Sequence, residues 1–498
     1  MLFSNAALFR LLLLATWSGS LAANEKVVAS SFLEQQQAPA GDHSRGARFL
    51  AEAVETSAVE RQALVDLYRS TNGEGWTESQ NWLVGDPCVN QWYGVTCDEH
   101  GGVGVVRLVQ NNMTGVLEES IGDLFALQLL QLQFGKIGGS IPPSIGNLKN
   151  VTLLGLTDHE FEGGIPASVG NMTKLEMFYG YRNQLEGKVP EFTNCGALTL
   201  VNLMENNLSG EVPSFLTNIN LQILSLYNNN LSGSIPSFST NINLQDLNLQ
   251  NNNLSGSIPS FSTNINLQQL YLYNNKLSGS IPSFSTNINL QNLRLNNNYL
   301  NGSIPSFSTN INLQFLYLHY NNLSGSIPSF STNINLQDLQ LQNNKLSGLL
   351  PPLTSNPLLN YLDISNNQLS GPLPPDFSAT PLLQIFFAYN NDFSGTLSPT
   401  LFDLKNITDV ILSGNANLKG TLPSVLSTPS LTSLVIEDAP SLALYQKPSR
   451  PPSHPFTSRE TASIPPSLSY PKQSATSPLP TTKSQVPSLI PSSPTRLL

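Results

Sequence analysis

Leu244-Gln245-Asp246-Leu247-Asn248-Leu249-Gln250-Asn251-Asn252-Asn253-Leu254-Ser255-Gly256-Ser257-Ile258-Pro259-Ser260-Phe261-Ser262-Thr263-Asn264-Ile265-Asn266 is one copy of a 23-residue unit that this chain writes six times in succession. The copies begin at Leu221, Leu244, Leu267, Leu290, Leu313 and Leu336. Each opens as Leu-Gln-x-Leu-x-Leu-x-x-Asn-x-Leu, and most continue Ser-Gly-Ser-Ile-Pro-Ser-Phe-Ser-Thr-Asn-Ile-Asn. So short a unit cannot bury its own apolar face. A fixed period of roughly 20–50 residues therefore reads as a solenoid in which each coil stacks on the next.

The copies differ where side chains are free to differ. The third position runs Ile223, Asp246, Gln269, Asn292, Phe315, Asp338. The fifth runs Ser225, Asn248, Tyr271, Arg294, Tyr317, Gln340, and the seventh Tyr227, Gln250, Tyr273, Asn296, His319, Gln342. In x-Leu-x-Leu-x the leucines face one side of a strand and the x residues the other. With the leucines in the core, the x columns line one solvent-facing sheet as a mosaic. Tyr271, Arg294 and Tyr317 share a column, which sets Arg294 between two rings for cation–π contact. Tyr273, His319 and Phe315 flank that trio. Asp246 and Asp338 are candidate acidic contacts to a basic or hydroxylated ligand. Aromatic and Arg residues are the usual anchors of a binding surface, although Tyr also suits an ordinary strand.

The units resemble leucine-rich repeats, in particular the plant-type subclass with Leu-x-Gly-x-Ile-Pro after the strand. Leu231-Ser232-Gly233-Ser234-Ile235-Pro236 and Leu277-Ser278-Gly279-Ser280-Ile281-Pro282 carry the likeness. It covers roughly residues 58–436. It implies a curved leucine-rich repeat solenoid, with a parallel β-sheet on the concave face and 3₁₀ turns and extended segments on the convex side. Further repeats start near Val103, Leu127, Val151, Leu175 and Leu198, and near Leu359, Leu383, Ile407 and Leu431, for about fifteen units over residues 103–445. The ninth position is Asn in most of them, from Asn111 and Asn183 through Asn252 to Asn415. An inward Asn at a tight turn is expected to bond backbone of its own and the neighbouring coil. Gly135 and His159 break that ladder.

The chain has 498 residues and a formal charge of −10. That balance argues against a nucleic-acid partner, which wants a basic stripe. Residues 1–23 read as a signal peptide, with Arg10 before the run Leu11-Leu12-Leu13-Leu14 and small residues at Ala22 and Ala23. The run is too short to span a membrane, and no other stretch is long and apolar enough. Residues 24–56 read as a polar linker. At 57–102 an N-terminal cap is expected to cover the first repeat. Ser57 and Glu60 form a capping box, with Val59, Ala63, Leu64, Leu67 and Tyr68 at helical spacing. Cys88 and Cys97 are expected to pair in an oxidising compartment. Trp92-Tyr93-Gly94-Val95-Thr96-Cys97 matches the cap pattern of plant-type repeats. Cys195, left over, reads as a small buried hydrophobe. The tail, 446–498, is rich in Pro, Ser and Thr and reads as a disordered stalk.

Sequons stand at Asn112, Asn150, Asn171, Asn207, Asn230, Asn253, Asn301, Asn322 and Asn406. The sequence shows no His/Cys set with metal spacing, no cofactor motif, no phosphate loop and no kinase signature, so no enzyme is expected. The leading expectation is a secreted or cell-surface, receptor-like recognition protein. Its concave sheet would bind a peptide, protein or glycan, with or without a co-receptor. A second reading is a structural cell-wall or matrix protein attached through its tail. A third takes the Ser-Phe-Ser-Thr-Asn-Ile-Asn rows as a lattice for an ordered surface such as ice, mineral or crystalline polysaccharide, though tandem duplication yields the same periodicity.

Overall fold

The computed structural model describes residues 54–421, 428, 430–437 and 441–443; the expected leader, the linker as far as residue 53 and the tail lie outside them. All described residues belong to the first of two units, Met1–Leu444.

The cap begins with the helix Ala58–Ser70. Ser57 Oγ accepts from the Glu60 amide at 3.2 Å, as the capping box requires. Glu60 is itself buried, and its carboxylate accepts from the Ala126 amide at 3.3 Å, so the cap residue also fastens the helix to the repeats. Ala63, Leu64 and Leu67 face inward, whereas Val59 is exposed. Tyr68, Trp76, Trp82 and Trp92 pack ring on ring, with centroids 4.9–5.1 Å apart along the chain of contacts. Each indole N–H donates at 2.9 Å to a backbone carbonyl, of Thr71, Tyr93 and Val84. Buried indoles satisfied in this way are structural. Cys88 and Cys97 form a disulfide.

The cap strand Val95–Cys97 pairs antiparallel with Val103–Val109. From there the long sheet is parallel, one strand per coil, giving sixteen strands among the described residues with the cap strand included. Alternation does what the pattern dictates. In the strand Gln269–Tyr271, Leu270 is fully buried while Gln269 and Tyr271 are half-buried on the opposite face. Burying each such leucine contributes about 1.5–3 kcal/mol.

Two asparagine ladders bind coil to coil. Asn252 Nδ2 donates to Leu226 O of the preceding coil and to Leu249 O of its own, both at 3.1 Å, and its Oδ1 accepts from the Leu231 amide at 2.9 Å. The second ladder, Asn218 to Asn356, was not anticipated. Asn264 Nδ2 donates to Phe238 O and Asn241 O at 2.9 and 2.8 Å. These amides are fully buried, beside a column of Phe rings 6.3–6.4 Å apart from Phe215 to Phe330. Where His159 replaces the ninth-position Asn, its Nδ1 takes over the acceptor role toward the Ile137 amide at 3.2 Å. Burial holds this imidazole down at about 4.

The outer side carries the expected 3₁₀ turns and extended segments, distributed unevenly. Segments of 3₁₀ helix occur at Glu119–Asp123, Pro143–Asn147, Ala167–Asn171 and Pro399–Asp403, none of them in the duplicated block. A second parallel sheet also forms where Leu-Ser-Gly-Ser was expected to be only a turn and an extended run. Nine of its strands run from Ser255–Ser257 to Ser441–Ala443. Gly256 and its equivalents sit at φ near 76°, which glycine adopts without strain.

Candidate functional site

The x face of the long sheet carries the candidate site, in the register Asn248–Tyr271–Arg294–Tyr317–Gln340. The Arg294 guanidinium lies 5.0 Å from the Tyr271 ring centroid and 4.7 Å from that of Tyr317. Phe315 and His319 pack edgewise or tilted on Tyr317, with centroids 6.4 and 6.1 Å away. The Tyr317 hydroxyl donates to Asp338 Oδ2 at 2.7 Å, and Gln340 Nε2 donates to both Asp338 oxygens at 3.2 Å. Tyr273, Asn296 and His319 occupy the seventh-position column.

This face is drier than a solvent-facing sheet. Asp246 is only 5% exposed, and burial pushes its carboxyl up to about 6. Burial does the same to Asp338, also to about 6, although Tyr317, Gln340 and the Arg294 charge pull the other way. The expected acidic contacts are therefore altered: Asp246 is mostly covered and Asp338 is already engaged by its neighbours. Burial lowers His319 to about 4 and raises Tyr271 to about 12. Arg294 Nε, His319 Nδ1, Asn296 Oδ1, Gln342 Oε1, Asn248 Oδ1 and Gln250 Oε1 are buried without a hydrogen-bond partner. With Ser225 Oγ of the same face, such atoms are costly unless water or another partner bonds them.

Sequence reading missed the other half of this face. In the earlier coils the third-position column is apolar: Leu129, Leu153, Met177, Leu200 and Ile223, in direct register. With Tyr179, Tyr181 and Met204 they form a separate apolar cluster outside the main core. Beside it Arg182 pairs with Glu205 at 3.1 Å and Asp158 at 3.7 Å. The signal was present, since the third position is apolar in five successive coils, but these coils lie mostly outside the near-identical block.

Of the sequon residues, Asn112, Asn171, Asn207, Asn230, Asn301, Asn322 and Asn406 are exposed, and Asn150 and Asn253 are half-buried. Cys195 is buried in the second ladder's column, and burial raises its thiol to about 11. Among the described residues no cluster of His, Cys, Asp or Glu has a metal-holding arrangement, and no helix is long and apolar enough to cross a membrane.

Residues 57–98 match the leucine rich repeat N-terminal domain, and seven successive segments from 220–242 to 358–379 match the Leucine Rich Repeat. The Arabidopsis receptor kinase HAESA, solved with the peptide hormone IDA and the co-receptor SERK1, is 30% identical; the match covers 75% of this chain and 68% of that one, with a TM-score of 0.58. The chain belongs to the plant-type leucine-rich repeat proteins. PEPR1, solved with AtPEP1, is 32% identical over 73% of this chain and 52% of its own, with a TM-score of 0.69. The plant peptide hormone receptor RGFR1, solved with RGF2, is 32% identical over 68% of this chain and 60% of its own, with a TM-score of 0.62. This leucine-rich repeat chain thus spans about half to two-thirds of the length of those receptors. No curated protein sequence matches it.

Proposed function

We propose that this leucine-rich repeat protein is a secreted or cell-surface recognition protein that binds a peptide, protein or glycan across the x face of its long sheet. The observation that carries the reading is Arg294, fixed between Tyr271 and Tyr317 with its Nε buried and unpaired. A guanidinium held by two rings has lost its side-chain freedom before any ligand arrives, so binding costs less ordering entropy. It presents charge-assisted donors to a carboxylate or another acceptor-rich group. The apolar column Leu129–Ile223 extends the same face, which suits a ligand that crosses many strands.

The similarity to receptors solved with peptide hormones supports this reading, and HAESA, solved with a co-receptor as well, suggests a co-receptor as a further partner. The leader at 1–23 and the disulfide agree with passage through an oxidising compartment. The test is capture of extracellular components by the secreted protein, with identification of what is bound. A ligand that is lost when Tyr271, Arg294 and Tyr317 are changed to Ala supports the proposal; a ligand retained in full moves the site elsewhere.

A further inference from the structure

A second surface is built with greater regularity than the sheet face, and it lies on a different part of each coil. Ile219, Ile242, Ile265, Ile288, Ile311 and Ile334 are each 52–54% exposed, so six coils present the same apolar side chain in the same setting. Exposed Thr accompanies each of them, at Thr217, Thr240, Thr263, Thr286, Thr309 and Thr332. Duplication explains why the six are alike. It does not explain why the shared residue is an exposed, β-branched hydrophobe. In flanking coils the equivalent position holds Lys149, Thr173, Gly196, Pro357, Pro381 and Lys405, all exposed.

The rows are held still. Thr240, Thr286 and Thr309 donate their hydroxyls to carbonyls of the preceding coil at 2.8–2.9 Å. Asn266, Asn289, Asn312 and Asn335 donate side-chain N–H to the carbonyl of the preceding coil's Ile at 3.0–3.2 Å. Beneath them the Phe rings repeat every 6.3–6.4 Å, each turned 13–16° from the last. A flat surface therefore meets a few neighbouring coils at a time.

The chemistry of the rows narrows the partner. Residues 214–220 and their five equivalents contain no charged side chain, so they offer no charge to complement a mineral lattice or an oppositely charged protein. Their one aromatic residue, the Phe, is buried, so no ring is presented to the face of a sugar. What remains is methyl groups, which order the water around them. Beside them are hydroxyl and amide groups, whose unused lone pairs hold water by hydrogen bonds. All recur at a fixed translation.

We propose that the rows Thr217 to Thr332 and Ile219 to Ile334 bind ice, their ordered hydration water merging with the crystal. The partner is an ordered water lattice because only a periodic surface rewards identical contacts repeated from one coil to the next. A second copy of this chain, which has the same period, is the rival occupant. The proposal does not depend on the Arg294 site.

The test freezes the full secreted chain slowly from solution and measures the fraction taken into ice, alongside crystal shape under the microscope. The variant is Ile265→Lys with Ile288→Lys, a change the fold already accommodates at Lys149 and Lys405. Unchanged circular dichroism verifies folding. The expected result is incorporation and faceted crystals for the natural chain and their loss in the variant, with Tyr271→Ala/Arg294→Ala behaving as the natural chain. Exclusion of the natural chain from ice, or equal incorporation of the Lys variant, overturns the proposal. So does a dimer in sedimentation analysis that the Lys variant disperses, since the rows would then be covered.

Discussion

Tyr317 and Asp338, on adjacent strands of the long sheet, are joined by a 2.7 Å hydrogen bond in which the phenol donates to the carboxylate. The bond fixes the ring that covers one side of Arg294 and opposes the burial that pushes Asp338 upward. Tyr317→Phe removes the donor. The Asp338 carboxyl is then expected to titrate above its present value of about 6, and the fold to lose about 1–2 kcal/mol. Carboxyl titration followed by NMR in the two proteins checks this; an unmoved Asp338 would mean the bond is absent in solution.

Binding at this face is expected to depend on pH. Above about 6, Asp338 is ionised and partly neutralises the field of Arg294; below that it is neutral and the guanidinium acts alone. An anionic ligand should therefore bind more tightly at pH 5 than at pH 7.5, and Asp338→Asn should flatten the difference. Titration calorimetry at both pH values with the captured ligand measures it.

Asp246 opposes the fold at neutral pH. Its carboxyl is raised by burial from the ordinary range to about 6, so between about pH 4 and 6 the folded state holds a proton that the unfolded state has released. Stability from this group is present below that window and is lost as pH rises through it. Asp246→Asn should stabilise the protein at pH 7.5 by about 1–3 kcal/mol and change little at pH 4. Urea unfolding at the two pH values decides; an equal effect at both would contradict the assignment. The imidazoles of His159 and His319, lowered to about 4, act in the opposite sense over a similar window, which is why the single substitution is more telling than the wild-type pH profile.

The ninth-position ladder should matter more than any one surface contact. Asn252→Ala removes donors to three carbonyls, of Leu226, Leu249 and Gln250, and the acceptor for the Leu231 amide, leaving buried backbone groups unpaired. A loss of about 2–4 kcal/mol is expected. His159→Asn restores the ladder in its coil and should stabilise increasingly as pH falls from about 6.5 to about 4, the window in which the imidazole of the unfolded chain is protonated and the folded one is not.

Cys195 should stay silent toward thiol reagents in the native protein, because it is buried and its thiol is raised to about 11. Labelling should appear only with unfolding. Glycan occupancy, read by mass spectrometry, should favour the exposed sequons and be low at Asn150, whose Nδ2 donates to Phe125 O at 3.0 Å, and at Asn253. That residue is half-buried, and its Nδ2 already donates to Asn230 Oδ1 at 2.6 Å.

Most of the coil was legible because repetition averages out local ambiguity. Leu247, Leu249 and Leu254 could only face inward if every copy was to stack, and the inward Asn252 followed from the same need. The second ladder was harder to see. Asn241 and Asn264 sit in a polar run, and nothing local distinguishes the buried Asn264 from half-buried Asn266 two residues on. The second sheet at Ser255–Ser257 was hidden because Ser and Gly carry no strand signal; pairing comes from the neighbouring coil. At the candidate site, the Tyr271–Arg294–Tyr317 column followed from register alone. The burial of Asp246 did not, because it depends on the bulk of side chains in adjacent strands. The exposure of the Ile265 column was not legible either, since nothing local separates it from the core isoleucine Ile258 of the same coil.

The most direct test of the account is binding of the captured extracellular ligand to the secreted protein and to the single variant Arg294→Ala, with folding verified by circular dichroism. The account predicts a loss of at least about tenfold in affinity, as for the removal of a central charged anchor. Equal affinity in the two proteins would contradict it and remove the Tyr271–Arg294–Tyr317 column from the recognition surface.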